Sequence, residues 1–144
     1  MSVVSLSPYL FFGGRAEEAI EFYQSALGAQ LEMKMRFDES PDPTPEGMLA
    51  PGYEKKIMHA SLNVEGQRIM LSDGCSEQDG GFSGFSLALT VSTEERVREI
   101  FAALSEGGMV QMPPGPTFWS PCYGMLKDQF GLHWMIMVLS DTPA

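Results

Sequence analysis

The element order β-α-β-β-β is predicted twice along the chain, and this repeat constrains the fold more than any other feature of the sequence. The first helix carries Glu17-Glu18 in its first turn, and Glu94-Glu95 stand at the corresponding place in the second copy. Two copies of one pattern indicate a fused duplication, and neither copy would bury its sheet alone. We therefore expect an α+β protein of two βαβββ modules that fold as one unit. The predicted parts are residues 1–74, a Gly- and Ser-rich linker at 75–84, and residues 85–144.

Apolar spacing and turn residues place the elements of the first module. Gly13-Gly14 separate an apolar strand from an amphipathic helix that ends at Gly28. Four prolines then indicate a long loop, and Glu65-Gly66 form the turn of a hairpin. The predicted elements are a strand at 3–12, a helix at 15–27, a strand at 30–37, a loop at 38–52, and hairpin strands at 57–64 and 67–72.

The second module repeats this order with its own helix start and turns. Ser92 and Glu95 have the spacing of a capping box, which predicts that the helix is capped by Ser92. Gly107-Gly108 end the helix, and the prolines of residues 113–116 predict a turn. The predicted strands are 85–91, a short strand at 110–112, and a last hairpin of 118–127 and 133–139.

The charge balance argues against two classes of partner. The chain has 9 basic and 19 acidic residues, a net charge of −10, whereas nucleic acids and anionic membranes bind basic surfaces. No apolar run approaches the roughly 20 residues needed to cross a bilayer, and the first residues lack the features of a signal peptide. Cys75 and Cys122 have no CxxC spacing, which favours reduced thiols. We expect a cytoplasmic protein with no nucleic-acid and no membrane partner.

Four stretches carry a resemblance to a known family. They are SPYLFFGGRAEEAIEFYQSALGAQ, HASLNVEGQRIMLSD, SGFSLALTVSTEERVREIF and TFWSPCYGMLKDQFGLHWMI. Together they resemble the PhnB-like branch of the vicinal oxygen chelate superfamily, which includes glyoxalase, bleomycin-resistance and extradiol dioxygenase proteins. The resemblance covers nearly the whole chain, and the last stretch is the one most particular to the PhnB-like branch.

The resemblance implies curved mixed sheets that enclose a cavity, where metal-dependent relatives hold a divalent ion with four side chains. Carried over onto this sequence, the four positions are Pro8, Met70, Ser86 and Met135. None of them offers the imidazole or carboxylate that such an ion needs. We therefore expect no metal. We also expect no other cofactor, because the sequence has no nucleotide-binding motif and no glycine-rich loop that would seat S-adenosylmethionine.

Strand alternation predicts which residues line the cavity, because side chains two apart share one face of a strand. The residues expected to face the helices are Met58, Ala60, Leu62, Val64, Trp134, Ile136 and Val138. Those expected on the cavity side of the first strand are Leu6, Pro8 and Leu10. The candidate ligand-binding residues are His59, Ser61, Asn63, Met70, Ser86, Trp119, Tyr123, His133, Met135 and Met137.

Some of these candidates have a structural interpretation beside the functional one. His59 and His133 could act as a general base, or could only complete hydrogen bonds within a sheet. Trp119 could stack on a planar ligand, or could pack in a core or an interface. Asp128 could help to close the cavity, or could form the turn of its hairpin.

Three functions are open on the sequence alone. The first is a metal-free small-molecule-binding protein, as the bleomycin-sequestering relatives are. The second is a lyase, isomerase or dioxygenase whose metal is held by residues such as His59 and His133. The third is a dimeric interaction protein whose cavity is filled by methionines, because one fold carries both catalysts and binders. Superfamily members of this size usually pair, so we expect a homodimer.

Overall fold

Each half of the chain folds as a βαβββ unit in the computed structural model, which describes residues 2–140. The first unit extends to Gly81 and the second begins at Phe82. The first contains β1 (Tyr9–Phe11), α1 (Ala16–Leu27), β2 (Gln30–Arg36), β3 (Ile57–Val64) and β4 (Gln67–Ser72). The second contains β5 (Leu87–Val91), α2 (Glu94–Ser105), β6 (Met109–Gly115), β7 (Tyr123–Lys127) and β8 (His133–Val138). The predicted α+β class and element order are confirmed.

Each unit holds one mixed sheet of four strands. The strand orders are β1-β4-β3-β2 and β5-β8-β7-β6. In both sheets the first strand runs parallel to the last, and all other neighbours are antiparallel. The first strand of each unit therefore lies beside a strand that comes much later in the chain, and residues from both ends of a unit share one sheet face.

The helices cover one face of each sheet and form the cores. α1 packs against β2 and β3, and α2 packs against β6, β7 and β8. The buried residues of α1 are Ala16, Ala19, Ile20, Tyr23, Ala26 and Leu27, and those of α2 are Val97, Ile100, Phe101 and Leu104. The buried side of α1 confirms the predicted amphipathic helix. Neither helix is long and apolar enough to cross a membrane within the described residues.

Two predicted details of the second unit are wrong. The residue that caps α2 is Thr93, whose side chain accepts a hydrogen bond from the backbone N–H of Arg96 at 3.1 Å, so Ser92 lies one residue too early. Residues 113–115, predicted as part of a proline turn, continue β6. β6 is the edge strand of its sheet, where a residue without an N–H loses no ladder hydrogen bond.

The first strand is much shorter than predicted, with three residues where ten were expected. The last hairpin also begins later, at Tyr123. The predicted linker at 75–84 spans the boundary between the two units, and its first part binds the first unit: the carbonyl of Cys75 accepts from the backbone N–H of Ala50 at 2.8 Å. Cys75 and Cys122 are both free thiols.

Candidate functional site

The face of the first sheet that lies opposite α1, called here the first open face, carries three predicted site residues on β3. Ala60, Leu62 and Val64 are buried on the helix side. His59 and Asn63 lie on the other face and are partly exposed, whereas Ser61 is buried there and bonds Glu32 Oε1 at 3.4 Å. Met58, expected on the helix side, is only half-buried. The register also places Tyr9, Phe11, Met33, Met35 and Met70 on the first open face.

The prediction for the first strand is wrong by one residue. Leu10 is 3% exposed and pairs with the fully buried Leu71, so it belongs to the core. Leu6 is exposed and lies outside the sheet. Tyr9 and Phe11 lie on the first open face, where Leu6, Pro8 and Leu10 were predicted. Tyr9 pairs there with Met70. The error arose because residues 9–12 are all apolar, so alternation gave no phase there.

Tyr9 and His59 form the most specific polar contact on the first open face. The phenolic oxygen of Tyr9 lies 2.8 Å from Nδ1 of His59, and their ring centroids are 5.5 Å apart. The ring of Phe11 lies 5.3 Å from that of Tyr9. Burial raises the pKa of the Tyr9 phenol above its ordinary value, and the Ser72 hydroxyl acts in the opposite direction. Tyr9 was not among the predicted site residues.

Met70, a predicted site residue, lies in a row that crosses the whole first sheet. The row runs from Tyr9 through Met70 and Ser61 to Met33, each residue paired with the next. The first sheet thus brings together four of the predicted residues: His59, Ser61, Asn63 and Met70.

The second sheet has an equivalent face opposite α2, called here the second open face. On β8, Trp134, Ile136 and Val138 are buried, and the alternate residues His133, Met135 and Met137 are half-buried. This is the alternation that the sequence predicts. The helix-facing set contains no charged residue, so the polarity of this strand is confined to its other face.

Methionines dominate the second open face. Met112 on β6 pairs with Met125 on β7, and Met125 pairs in turn with Met135 on β8. In the next row Met137 pairs with Tyr123. A row of unbranched, polarizable side chains gives a surface that conforms to varied apolar shapes.

An aromatic cluster adjoins Tyr123. The ring of Trp119 lies 5.2 Å from Tyr123 and 4.7 Å from Phe118, both edge to face. Phe118 is 82% exposed, whereas Tyr123 is buried and its burial raises the pKa of its phenol. Ser86, the remaining predicted residue, directly precedes β5 and is half-buried.

Asp128 forms the turn of its hairpin, the structural one of its two predicted roles. Its Oδ1 accepts from the backbone N–H groups of Phe130 and Leu132 at 2.9 and 3.1 Å. Its Oδ2 accepts from Nε1 of Trp134 at 2.9 Å, and the carboxylate is buried. Asp128 therefore holds the turn between β7 and β8, and it fixes the side chain that begins the core of β8.

The residues at the superfamily's metal positions do not fit a divalent transition metal. Met70 and Met135 present thioethers, Ser86 a hydroxyl, and Pro8 no donor atom. Such an ion needs imidazole or carboxylate ligands. Among residues 2–140, no group of three or more His, Cys, Asp or Glu side chains is placed to hold one.

Comparisons with known proteins identify the family of this chain. Residues 4–137 match the family described as 3-demethylubiquinone-9 3-methyltransferase. A solved structure from Bacillus cereus carries the same description with the name PhnB. It is 30% identical, has a TM-score of 0.75, and the match covers 94% of this chain and 99% of that one. The chain belongs to this PhnB-like family.

Other relatives of this PhnB-like protein are similar over their full lengths. YjdN of Escherichia coli is 37% identical over 145 residues, which cover 96% of the chain and 97% of YjdN. The structure of PA1353 from Pseudomonas aeruginosa is 38% identical with a TM-score of 0.82, over 96% and 100% of the two chains. A glyoxylase/bleomycin resistance protein/dioxygenase domain from Frankia, 14% identical with a TM-score of 0.63, shares the fold. The fold is therefore glyoxalase-like.

Proposed function

We propose that this PhnB-like protein binds a small, partly apolar molecule and does so without a divalent metal. The observation that carries the proposal is the composition of the second open face. A sheet face that only meets water is normally polar. Here its central positions are the methionines Met125, Met135 and Met137, and all three are half-buried.

Each open face carries few polar groups among its apolar residues, which is the usual composition of a small-molecule pocket. On the first open face they include His59, Ser61 and Asn63, and on the second His133 and the phenol of Tyr123. Such groups fix the orientation of a ligand, while thioethers and rings supply contact area. The proposed contact residues are His59, Ser61, Asn63, Met70, Ser86, Trp119, Tyr123, His133, Met135 and Met137.

The metal-free part of the proposal rests on the chemistry of Pro8, Met70, Ser86 and Met135. The enzyme alternative needs a metal on non-standard ligands such as His59 and His133. Elemental analysis of the purified protein separates the two. We expect far less than one transition metal per chain. Close to one metal per chain, lost in His59→Ala or His133→Ala, would show the enzyme alternative to be correct.

Binding is tested by a thermal-shift screen of a chemically diverse library. S-adenosylmethionine belongs in the library because the family description names a methyltransferase. A ligand present at one hundred times its Kd stabilises the folded state by about 2.7 kcal/mol, which raises Tm by several degrees. We expect stabilisation by planar or apolar compounds and none by S-adenosylmethionine. A complete absence of stabilising compounds would favour the dimeric interaction protein instead.

A further inference from the structure

Three rings from two strands meet on the first open face. Tyr9 and Phe11 project from the same side of β1, and both are about two-fifths exposed, at 40% and 42%. His59 reaches them from β3, 50 residues later in the chain. The planes of Tyr9 and Phe11 are tilted by 37°, and those of Tyr9 and His59 by 30°. These three neighbouring rings, with centroids 5.3 and 5.5 Å apart, are called here the aromatic platform.

The hydrogen bond within the platform determines what it can offer a ligand. If the Tyr9 hydroxyl donates to Nδ1 of a neutral His59, the proton of the imidazole lies on Nε2, where it is available to a ligand. The Ser72 hydroxyl is a second hydrogen-bond partner of the Tyr9 oxygen, and its effect on the Tyr9 pKa is that of a donor. With Ser72 as a donor to Tyr9, and Tyr9 as a donor to His59, the donor left without a partner among residues 2–140 is the Nε2–H group of His59.

The charges on the same face indicate a neutral acceptor. Arg68 is the cation that the strand register places on this face, and its Nε lies 3.5 Å from Oε1 of Glu32. Arg68 pairs with Asn63, which is four residues along β3 from His59, so its charge lies away from the Tyr9–His59 pair. The net charge of the chain, −10, also repels anions. A neutral carbonyl oxygen needs no cation beside the pair.

We propose that the aromatic platform binds a planar aromatic molecule that carries a carbonyl oxygen, with the oxygen held by the Tyr9–His59 pair. The ring of the ligand stacks on Tyr9 and Phe11, and its oxygen accepts the free proton of the pair. This rests on the proposed function and names the class of ligand. It also assigns roles to Tyr9 and Phe11, which were not among the residues predicted on the cavity side of the first strand.

Titrations of the full chain with three probes test the assignment. 2-Acetylnaphthalene has the ring and the carbonyl, 2-ethylnaphthalene lacks the carbonyl, and 1-cyclohexylethanone lacks the planar ring. Kd values come from ¹H–¹⁵N correlation spectra, in which the shifts are expected near Tyr9, Phe11 and His59. We expect 2-acetylnaphthalene to bind most tightly.

Variants then separate the ring from the hydrogen bond. His59→Phe removes the donor to the ligand, so it is expected to weaken 2-acetylnaphthalene about tenfold, the value of one hydrogen bond, and to leave 2-ethylnaphthalene nearly unchanged. Phe11→Leu is expected to weaken both naphthalenes. Tyr9→Phe in a His59→Phe background is expected to change the carbonyl preference little, because Tyr9 acts on the oxygen through His59. Tyr53→Phe is the control, since it removes a buried phenol of the same unit that lies beside Gly14.

Several outcomes would overturn the assignment. These are coincident titrations of His59→Phe and Tyr53→Phe, equal binding of the cyclohexyl and naphthyl ketones, or no binding of 2-acetylnaphthalene up to its solubility limit. The proposed function is judged separately. If library compounds bind and Met135→Glu abolishes their binding while His59→Phe and Phe11→Leu do not weaken it, the protein is a binder that does not use the aromatic platform.

Discussion

The carboxylate of Asp73 lies 2.8 Å from the backbone nitrogen of Ala16, so a residue that follows β4 caps the start of α1. The same oxygen accepts from the N–H of Gly14 at 2.8 Å, and the other accepts from the N–H of Ile57 at 2.9 Å. Arg15, at the N-cap position itself, provides no side-chain cap. Asp73 thus joins α1, β3 and the end of β4, and it is 1% exposed.

Asp73→Asn is expected to lower the free energy of unfolding by about 2–4 kcal/mol. The amide keeps the size of the side chain but turns an NH₂ group toward a backbone donor, which leaves that donor unsatisfied. Urea denaturation measures the change. Asp42→Asn, at an exposed loop position, is the control and is expected to change stability by less than about 0.5 kcal/mol. Equal effects of the two substitutions would contradict the capping role.

The cap of α2 gives a second comparison between neighbouring residues. Thr93→Ala removes the acceptor of the Arg96 N–H and is expected to cost about 1 kcal/mol. Ser92→Ala is expected to cost less than about 0.5 kcal/mol, because Ser92 is not the cap. Chemical denaturation of both variants checks the order. A larger loss for Ser92→Ala would restore the capping box that the sequence predicted.

Glu17 predicts a pH dependence. It pairs with Arg36 and Lys34, and the hydrogen bond from Arg36 lowers the pKa of its carboxyl below the ordinary 4.5. A carboxyl whose pKa is lower in the folded state stabilises the fold above its unfolded pKa, and loses this contribution as the pH falls through the folded value. Glu17→Gln is therefore expected to destabilise at pH 6 and to have a vanishing effect in acid.

The effect of Glu17→Gln is expected to stay below about 1 kcal/mol and to shrink in 0.5 M salt, because the side chain is partly exposed and screened. Thermal unfolding of wild type and variant between about pH 3 and pH 7 measures it. Glu21→Gln, on the exposed side of α1, is the control. A difference that grows as the pH falls would show that the assigned sign is wrong.

Adjacent residues of β8 separate the open face from the core. Met135→Glu is expected to leave the protein folded and to abolish binding of ligands found by the screen, since a half-buried wall accepts a charge better than a packed core does. Ile136→Glu buries a charge at a fully buried position and is expected to prevent folding. Circular dichroism of both variants measures whether they fold, and titration of Met135→Glu with the ligands found by the screen measures the loss of binding. Unfolding of Met135→Glu would indicate that its side chain belongs to the core.

We expect the protein to be a homodimer in solution. The edge strand β6 exposes Met109, Val110 and Met112, and an uncovered apolar edge favours association. Light scattering at micromolar concentration is expected to give about twice the chain mass of 15.8 kDa. A stable mass equal to that of one chain would exclude the dimer.

Local patterns predicted the helices and most strands well. The apolar spacing of α1 is strong because Glu17, Glu18 and Glu21 interrupt it, and on β8 the polar residue His133 sets the phase of the alternation. The same reasoning failed at Leu10, where nearly every neighbour is apolar and period two has no phase. It also failed for residues 113–115, because a proline that breaks an inner strand is tolerated at an edge.

Long-range contacts could not be predicted from the sequence. Asp73 stands just before the predicted Gly- and Ser-rich linker, and nothing in those surroundings indicates partners that lie 16 to 59 residues away. The Tyr9–His59 contact likewise depends on β1 lying beside β4, a pairing that becomes known only with the sheet topology. A parallel first strand is the feature that any residue-by-residue analysis of this chain misses.

The alternation on β8 also has a consequence for how such a chain can diverge. His133, Met135 and Met137 can be exchanged without touching Trp134, Ile136 or Val138, so the specificity of the second open face and the stability of the fold are encoded by different residues of one short strand. A library randomised at those three positions should yield mostly folded proteins, from which variants with new ligand preferences can be selected directly.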